Sequence, residues 1–200
     1  MSFVLGLTGS IGMGKSATAE MFRRLGIPVH DADSTVHALY RGEAVPLIEA
    51  AFPGSTHDGV VDRAILGARV LGHADALKRL ETIVHPLVRQ AEQGFVASQV
   101  ARGAPLVVLD IPLLLETGGE TRCDAVLVVT APAPIQRARV LARPGMDATR
   151  LDAILTKQMP DAEKRRRAHF LVDTSRGFAS AEGQVRAIVR ALAGRPGRRT

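Results

Sequence analysis

Short aliphatic runs alternate along the chain with longer segments in which apolar residues recur at helical spacing. Phe3–Thr8, Leu106–Asp110 and Ala125–Thr130 are rich in Val and Leu, as expected of strands covered on both faces. Ile27–His30 and Phe170–Asp173 predict two further strands. Because strands that alternate with helices form parallel sheets, the pattern predicts a three-layer α/β/α fold within one domain, residues 1–200.

The helical pattern predicts a large insertion between two strands. No strand is predicted between His30 and Pro105, and we expect residues 34–102 to form a helical substrate-binding subdomain. His85-Pro86 lies inside one of these helices, where proline is expected to kink or interrupt it. The predicted helices are Ser16–Leu25, Ser34–Arg41, Val45–Phe52, Arg63–Leu71, Ala74–Arg102, Pro134–Ala142, Asp147–Gln158 and Ala181–Leu192.

A second insertion, residues 137–164, is dense in arginine and is expected to form a small lid. Arg143 stands beside Pro144-Gly145, a suitable hinge, and guanidinium groups carried by a lid stabilise phosphoryl charge. A solvated helix face is the alternative for such arginines, and we interpret the run 164–167 in that way. The basic segment 194–200 is expected to be a frayed, solvated end.

Composition and charge narrow the class of protein. The net charge of +6 is consistent with a polyanionic substrate or with nucleic acid, but the aromatic and basic platform that binds nucleic acid is absent from the sequence. The single cysteine, Cys123, is expected to be a buried hydrophobe in a reducing compartment. Without a signal peptide or a membrane-length apolar run, a cytoplasmic protein with no membrane partner is expected.

The segment Gly9–Ser16 matches the pattern G-x-x-x-x-G-K-[ST] at every defined position, between a predicted strand and a predicted helix. In such a loop, backbone N–H groups and a helix N-terminus face the phosphates of a nucleoside triphosphate. Lys15 is expected on the β- and γ-phosphates and Ser16 on Mg²⁺. The residues expected to bind ATP are Gly9, Ile11, Gly12, Met13, Gly14, Lys15, Ser16, Ala17 and Arg143.

Carboxylates follow two of the predicted strands, at the edge where ligands bind in open α/β sheets. Asp31 and Asp33 follow Ile27–His30, and one of them is expected to accept a proton from a substrate hydroxyl. Spacing does not decide between the two, and either could cap the next helix. Asp31 and Asp110 are also candidates for the metal site, with capping as the alternative for Asp110. For Glu116 the sequence favours neither role.

With these residues assembled, the chain resembles the dephospho-CoA kinase family over nearly its whole length. The loop Leu7–Ser16 is shared with many nucleotide enzymes, whereas the runs Ile83–Arg89, with its His-Pro pair, and Asp110–Glu116, with its Asp-Ile-Pro-Leu-Leu sequence, are narrower marks of the family. Asp31-Ala-Asp33 and Asp62-Arg63 complete the resemblance.

The resemblance implies ATP- and Mg²⁺-dependent phosphorylation of the ribose 3′-hydroxyl of dephospho-CoA, giving CoA and ADP. It implies a P-loop core, a CoA-binding subdomain at 34–102 and a lid at 137–164. Asp33 is then the base, Lys15 contacts the ATP phosphates, and Arg143 contacts the nucleotide. Arg63, His85, Arg89 and Asp110 are expected on the side of the small-molecule substrate, and the protein is expected to be a monomer or a weak homo-oligomer.

The sequence departs from the family pattern at a few positions. Leu115 replaces a usual Phe, His169 a common Asp, Thr174 a usual Asn near the adenine side, and Ala17 is unusual after the loop serine. The competing hypotheses are another P-loop nucleoside or nucleotide kinase and a regulatory P-loop NTPase.

Overall fold

The structure, a computed structural model, describes residues 2–197, so Arg198, Arg199 and Thr200 of the predicted basic tail lie outside the described residues. The described chain divides into two compact units. The large unit comprises residues 2–30 and 98–197, and the small unit comprises Asp31–Ala97.

The strands and helices alternate much as the hydrophobic pattern predicts. The strands are β1 (Phe3–Thr8), β2 (Val29–Asp31), β3 (Thr56–His57), β4 (Val60–Val61), β5 (Leu106–Asp110), β6 (Ala125–Thr130) and β7 (Phe170–Asp173). The helices are α1 (Lys15–Arg24), α2 (Ala32–Leu39), α3 (Ala44–Ala51), α4 (Arg63–Val70), α5 (Ala74–Ala101), α6 (Ala133–Leu141), α7 (Ala148–Lys157), α8 (Asp161–Arg167) and α9 (Phe178–Leu192), with a 3₁₀ turn at Gly119–Arg122.

The central sheet has the strand order β2-β5-β1-β6-β7. β1 pairs in parallel with β5 and β6, and β6 pairs in parallel with β7. All residues of β5 and β6 are buried, which explains why these strands are continuously apolar. Helices flank this parallel sheet, so the predicted α/β fold class is confirmed.

The core of the large unit joins the sheet to α1 and α9. Leu5, Leu127 and Val129 of the sheet are fully buried, as are Phe22 of α1 and Val185 of α9. This packing anchors α1 directly behind β1. The turn between them is therefore held at the carboxyl edge of the sheet, where parallel sheets bind ligands.

The small unit has its own apolar core, formed mainly by helices. Its buried residues are Leu39, Ala44, Ile48, Phe52, Val61, Leu66, Val70, Leu80 and Val84. β3 and β4 form an antiparallel hairpin, which corrects the expectation of no strand between residues 30 and 105. Asp58, the only residue other than glycine with positive φ among residues 2–197, turns the chain together with Gly59. Asp-Gly is the usual sequence of such a turn.

Of two further helices, one matches the sequence prediction and the other was missed. α5 runs from Ala74 to Ala101, one residue shorter than the predicted Ala74–Arg102, and Pro86 lies inside it without interrupting it. α8 was not predicted. Its first turn carries Asp161 and Glu163 and its last turn is basic, an arrangement that complements the helix dipole.

Among residues 2–197, none of the helices has both the length and the apolar character that a bilayer crossing requires.

Replacing Pro86 by alanine is expected to stabilise the protein. Proline inside a helix removes one backbone hydrogen bond and crowds the preceding turn, and the Pro86 side chain is exposed. We expect the free energy of unfolding to rise by about 1–3 kcal/mol in denaturant titrations. Gln90→Ala, at another exposed position of α5, is the control and should change stability little. A loss of stability in Pro86→Ala would show that the proline is needed where it stands.

Candidate active site

The segment Gly9–Ser16 forms a tight loop between β1 and α1. Gly12 and Gly14 have φ values of 77° and 95°, in the left-handed region that side chains disfavour, and the Met13 N–H donates to the Ser10 carbonyl at 3.1 Å. α1 begins at Lys15, so the N-terminal amides of the helix lie at the end of the loop. This is the arrangement that binds phosphate groups.

The glycines of the loop are also required by close packing. A Cβ atom at Gly9 would lie 2.8 Å from the Val129 carbonyl oxygen, and one at Gly12 would lie 2.5 Å from a Val140 methyl group. A Cβ at Gly14 would lie 3.1 Å from the side chain of Thr174. The loop is therefore in contact with β6, α6 and the end of β7, which together determine its path.

Lys15 and Asp110 form an ion pair at the carboxyl edge of the sheet. Lys15 Nζ lies 2.6 Å from Asp110 Oδ1, and the two side chains are 15% and 3% exposed. Asp110 ends β5, which pairs with β1 immediately before the loop. The ammonium group is thus held in the loop by a neighbouring carboxylate.

Ser16, next to Lys15 in the chain, and Asp110 of the pair offer oxygen atoms that could bind a magnesium ion. Among residues 2–197 the Ser16 hydroxyl has no hydrogen-bond partner, and it lies next to Lys15 in the chain, whose ammonium contacts Asp110. Mg²⁺ prefers oxygen ligands and usually combines one or two protein groups with substrate phosphates. Ser16 and Asp110 match that donor set, and no cluster of three His, Cys, Asp or Glu side chains that could hold a metal is found in the same described range.

A second network holds the other side of the loop. Arg139 of α6 donates from Nη1 to Thr174 Oγ1 and from Nη2 to the Thr174 carbonyl, both at 2.8 Å. The Thr174 hydroxyl donates in turn to the Met13 carbonyl at 2.8 Å. Arg139 also approaches the Gly12 carbonyl at 3.5 Å. The carbonyl groups of Gly12 and Met13 therefore accept hydrogen bonds from residues outside the loop.

A cavity of about 320 Å³ adjoins this network and the loop. Its walls are formed by loop glycines, one face of α1, the start of α9 and two arginines, and include Ala17, Met21, Arg139, Arg143, Thr174 and Phe178. Phe178 is 76% exposed although it is large and apolar. A flat apolar wall beside a phosphate loop is suited to an aromatic base.

The arginines of segment 137–164 differ in their contacts. Arg137 Nη1 lies 3.4 Å from Asp152 and joins α6 to α7, and Arg150 donates to the Gly145 carbonyl. The Arg143 side chain is exposed, lines the cavity and has no hydrogen-bond or ion-pair partner among residues 2–197. Arg143 is therefore the arginine of this segment that is available to an anion in the cavity.

The run 164–167 does not form the solvated face expected of it. Lys164 is fully buried, and its Nζ lies 2.7 Å from Glu116 Oε1, whose side chain is 14% exposed. Glu116 Oε1 also accepts the Met159 N–H at 3.0 Å. Only the arginines that follow Lys164 are exposed. Glu116, whose role the sequence left open, has a structural partner.

In the small unit, the two candidate bases have different surroundings. Asp31 is the N-cap of α2 and accepts the Ser34 N–H at 3.1 Å, which is the capping alternative considered above. Asp33 lies in the first turn of the same helix, and its exposed carboxylate has no partner among residues 2–197. Asp33 is thus the carboxylate of this pair that is available to a substrate.

The other candidates of the small unit have exposed side chains. Arg63 begins α4, and its Nη1 lies 2.8 Å from His37 Nε2. Because arginine only donates, the imidazole nitrogen is the acceptor of this contact. The neighbouring Asp62 caps α4, and hydrogen bonds from the Ile65 N–H and then the Ala64 N–H lower the pKa of Asp62. His85 and Arg89 are exposed one turn apart on α5, on the same face.

Comparison with known proteins identifies the family. The sequence model described as "Dephospho-CoA kinase" matches residues 3–180. The chain belongs to the dephospho-CoA kinase family. It is 60% identical over 196 residues to a dephospho-CoA kinase of Rhodopseudomonas palustris strain HaA2, with 98% of each chain covered. It is 62% identical over 194 residues to one from Mesorhizobium japonicum, covering 97% of this chain and 98% of that one.

A solved structure extends the likeness. Protein TT1252 from Thermus thermophilus superposes with a TM-score of 0.82 at 36% identity, covering 98% of this chain and 99% of that one. Membership of the dephospho-CoA kinase family implies a nucleotide and a small-molecule substrate. The resemblance recognised from the loop, the His-Pro segment and the Asp-Ile-Pro-Leu-Leu run is confirmed.

Several departures from the dephospho-CoA kinase pattern have structural explanations. Thr174 takes part in the network that holds the loop. His169 pairs with β6. Its backbone N–H donates to the Val126 carbonyl at 2.9 Å, and its ring atom Nδ1 accepts the Val126 N–H at 3.1 Å. Leu115 is buried, and Ala17 lines the cavity.

Some residues around the loop were not assigned a role from the sequence. Arg139 lies four residues before Arg143 in the same arginine-rich segment, and this proximity was a signal that could have found it. Gln136 and Gln158 also contact the loop, but they stand far from it in sequence and match no motif. Phe178 and His37 likewise carry no local signal.

The buried Glu116–Lys164 pair is expected to be a strong structural contact. Glu116→Gln leaves a buried ammonium group without an anion and should lower the free energy of unfolding by about 3 kcal/mol. Lys164→Met should also destabilise, because it leaves the carboxylate unpaired. The double variant should recover part of the loss in denaturant titrations, since neither charge then remains. If the loss of unfolding free energy in the double variant equalled the sum of the two single losses, the pair would not interact as described.

Proposed function

We propose that this chain phosphorylates the ribose 3′-hydroxyl of dephospho-CoA with ATP, giving CoA and ADP as the last step of CoA biosynthesis. The observation that carries the proposal is a family match over residues 3–180 in a chain whose phosphate loop is complete, with Lys15 and Ser16 in place. We assign the helical subdomain, residues 34–102, to the acceptor and the segment 137–164 to the lid.

The donor side of the reaction is assigned to the large unit. Lys15 and the loop amides hold the triphosphate, and the cavity beside Phe178 accommodates the adenine. Ser16 and Asp110 would hold Mg²⁺, which would supply positive charge to neutralise the phosphates. Arg143 contributes a guanidinium group to the transferring phosphoryl group.

The acceptor side is assigned to the small unit. Asp33 takes the proton of the ribose 3′-hydroxyl while the 3′-oxygen forms a bond to the γ-phosphorus of ATP. The bond between the γ-phosphorus and the bridging oxygen breaks, and ADP leaves. Asp33 suits this role better than Asp31, whose oxygen already accepts from the Ser34 N–H. Arg63 and Arg89 provide cations, and His85 a hydrogen-bond donor, for the anionic groups of dephospho-CoA.

The acceptor can be tested directly. In a coupled assay of ADP release with ATP and Mg²⁺, we expect dephospho-CoA to stimulate release strongly. AMP, adenosine and pantothenate, in parallel assays, should not. Stimulation by one of the other acceptors alone would favour a different P-loop kinase, and slow hydrolysis that no acceptor stimulates would favour a regulatory NTPase.

The base is tested by neutralising each aspartate in turn. Asp33→Asn should lower kcat by about 100-fold or more, the usual contribution of a general base, while the Kd for ATP changes by less than about twofold. Asp31→Asn is the matched control, because asparagine also caps helices and only the charge is lost. A larger loss of kcat in Asp31→Asn would assign the base to Asp31.

A further inference from the structure

One residue of the phosphate loop, Ile11, has both of its backbone polar groups bound by glutamine side chains. Gln136 Nε2 donates to the Ile11 carbonyl at 2.8 Å, and the Ile11 N–H donates to Gln158 Oε1 at 3.1 Å. Since a carbonyl only accepts and an N–H only donates, the orientation of each side-chain amide is determined by its partner. The two contacts are complementary and hold the Ile11 peptide groups on both sides.

The two glutamines stand at the two ends of the arginine-bearing segment. Gln136 lies in α6, and Gln158 directly follows the last residue of α7. The chain between them, residues 137–157, contains Arg143 and the turn at Pro144-Gly145. The residues that flank this segment at its two ends therefore both contact the same loop residue, Ile11.

The C-terminal end of the segment is held by the buried ion pair of Glu116 and Lys164. The Met159 N–H, next in the chain to Gln158, donates to Glu116 Oε1 at 3.0 Å, and Lys164 Nζ lies 2.7 Å from the same oxygen. Asp161, at the start of α8, accepts the Thr130 hydroxyl at 2.8 Å. These contacts hold the backbone after Gln158 against the connection that follows β5 and against Thr130 of β6.

The two glutamines differ in how firmly they are held. Gln136 is 7% exposed and is packed in the interior, next to the fully buried Val140. Gln158 is half-buried, and its contact with Ile11 is a single hydrogen bond between side chain and backbone. Removing Gln136 would disturb the core, whereas removing the Gln158 amide changes mainly the link between the segment and the loop.

We propose that Gln158 is a positioning residue, which couples the placement of segment 137–157, and with it Arg143, to the phosphate loop through Ile11. The proposal rests on the proposed function insofar as turnover measures its effect. Charge stabilisation by a guanidinium group depends on its placement to within about an ångström. A loosened segment therefore slows phosphoryl transfer, while the loop amides and Lys15 still bind the triphosphate.

The test replaces Gln158 by methionine, which keeps the length of the side chain and removes the acceptor. We expect kcat to fall about tenfold, the effect of one lost hydrogen bond on placement, and the Kd for ATP to change by less than about threefold. In the protein without nucleotide, amide exchange should become faster in residues 9–16 and 143–157 and should not change in β5. Gln93→Met, the same substitution at an exposed residue of α5, should leave all of these values unchanged.

Two results would overturn the proposal. One is unchanged exchange in residues 9–16 and 143–157 of Gln158→Met. The other is faster exchange throughout the chain, β5 included, which would make Gln158 a general structural residue. If the wild-type chain does not turn over dephospho-CoA, the proposed function fails, and the exchange measurement alone still decides whether Gln158 couples the segment to the loop.

Discussion

The path of the backbone from Gly9 to Gly14 is the constraint on which the large unit depends. To bind a triphosphate, the loop must turn its N–H groups inward, and its carbonyl groups then require partners on the outside. Gln136 binds the Ile11 carbonyl, and Thr174 binds that of Met13. The N–H groups on the inside of the loop are thus available for phosphate, while its carbonyl groups on the outside are bound by residues far along the chain.

The close packing around the loop has the same origin. Because α6 donates a hydrogen bond to the Ile11 carbonyl through Gln136, it must approach the loop closely, and a Cβ on Gly12 would then collide with Val140 of the same helix. The glycines of the motif are therefore required both by backbone conformation and by the neighbours that hold the loop. This explains why the motif alone does not make a site: it also needs α6 and the residues after β7.

Much of the fold followed from the sequence because the signals are local. Buried strands such as β5 and β6 are continuous aliphatic runs, and helices show their own spacing. The β3–β4 hairpin was missed because each strand has only two residues, too few to show alternation, although Asp58-Gly59 marked the turn. The continuity of α5 through Pro86 is a case in which packing of the helix overrides an unfavourable residue.

The site was predictable to the extent that its residues share a motif. Lys15 and Ser16 followed from the loop pattern, and their role stays a proposal. The pairing of Lys15 with Asp110 required the sheet order, which places β5 beside β1. Lys164 could not be separated from the arginines that follow it, because its burial depends on Glu116, a residue almost fifty positions away in sequence. Charge by itself does not reveal whether a cation is solvated.

The arginines of segment 137–164 differ in whether the protein gives them a partner. Arg137, Arg139 and Arg150 each bind a carboxylate, hydroxyl or carbonyl group and thereby shape the segment, whereas Arg143 has no such partner among residues 2–197 and faces the cavity. A guanidinium group beside a cavity gains most from an anion that enters it, because its charge is not already compensated. The contacts therefore divide these arginines into those that build the site and Arg143, which the sequence had already singled out beside Pro144-Gly145.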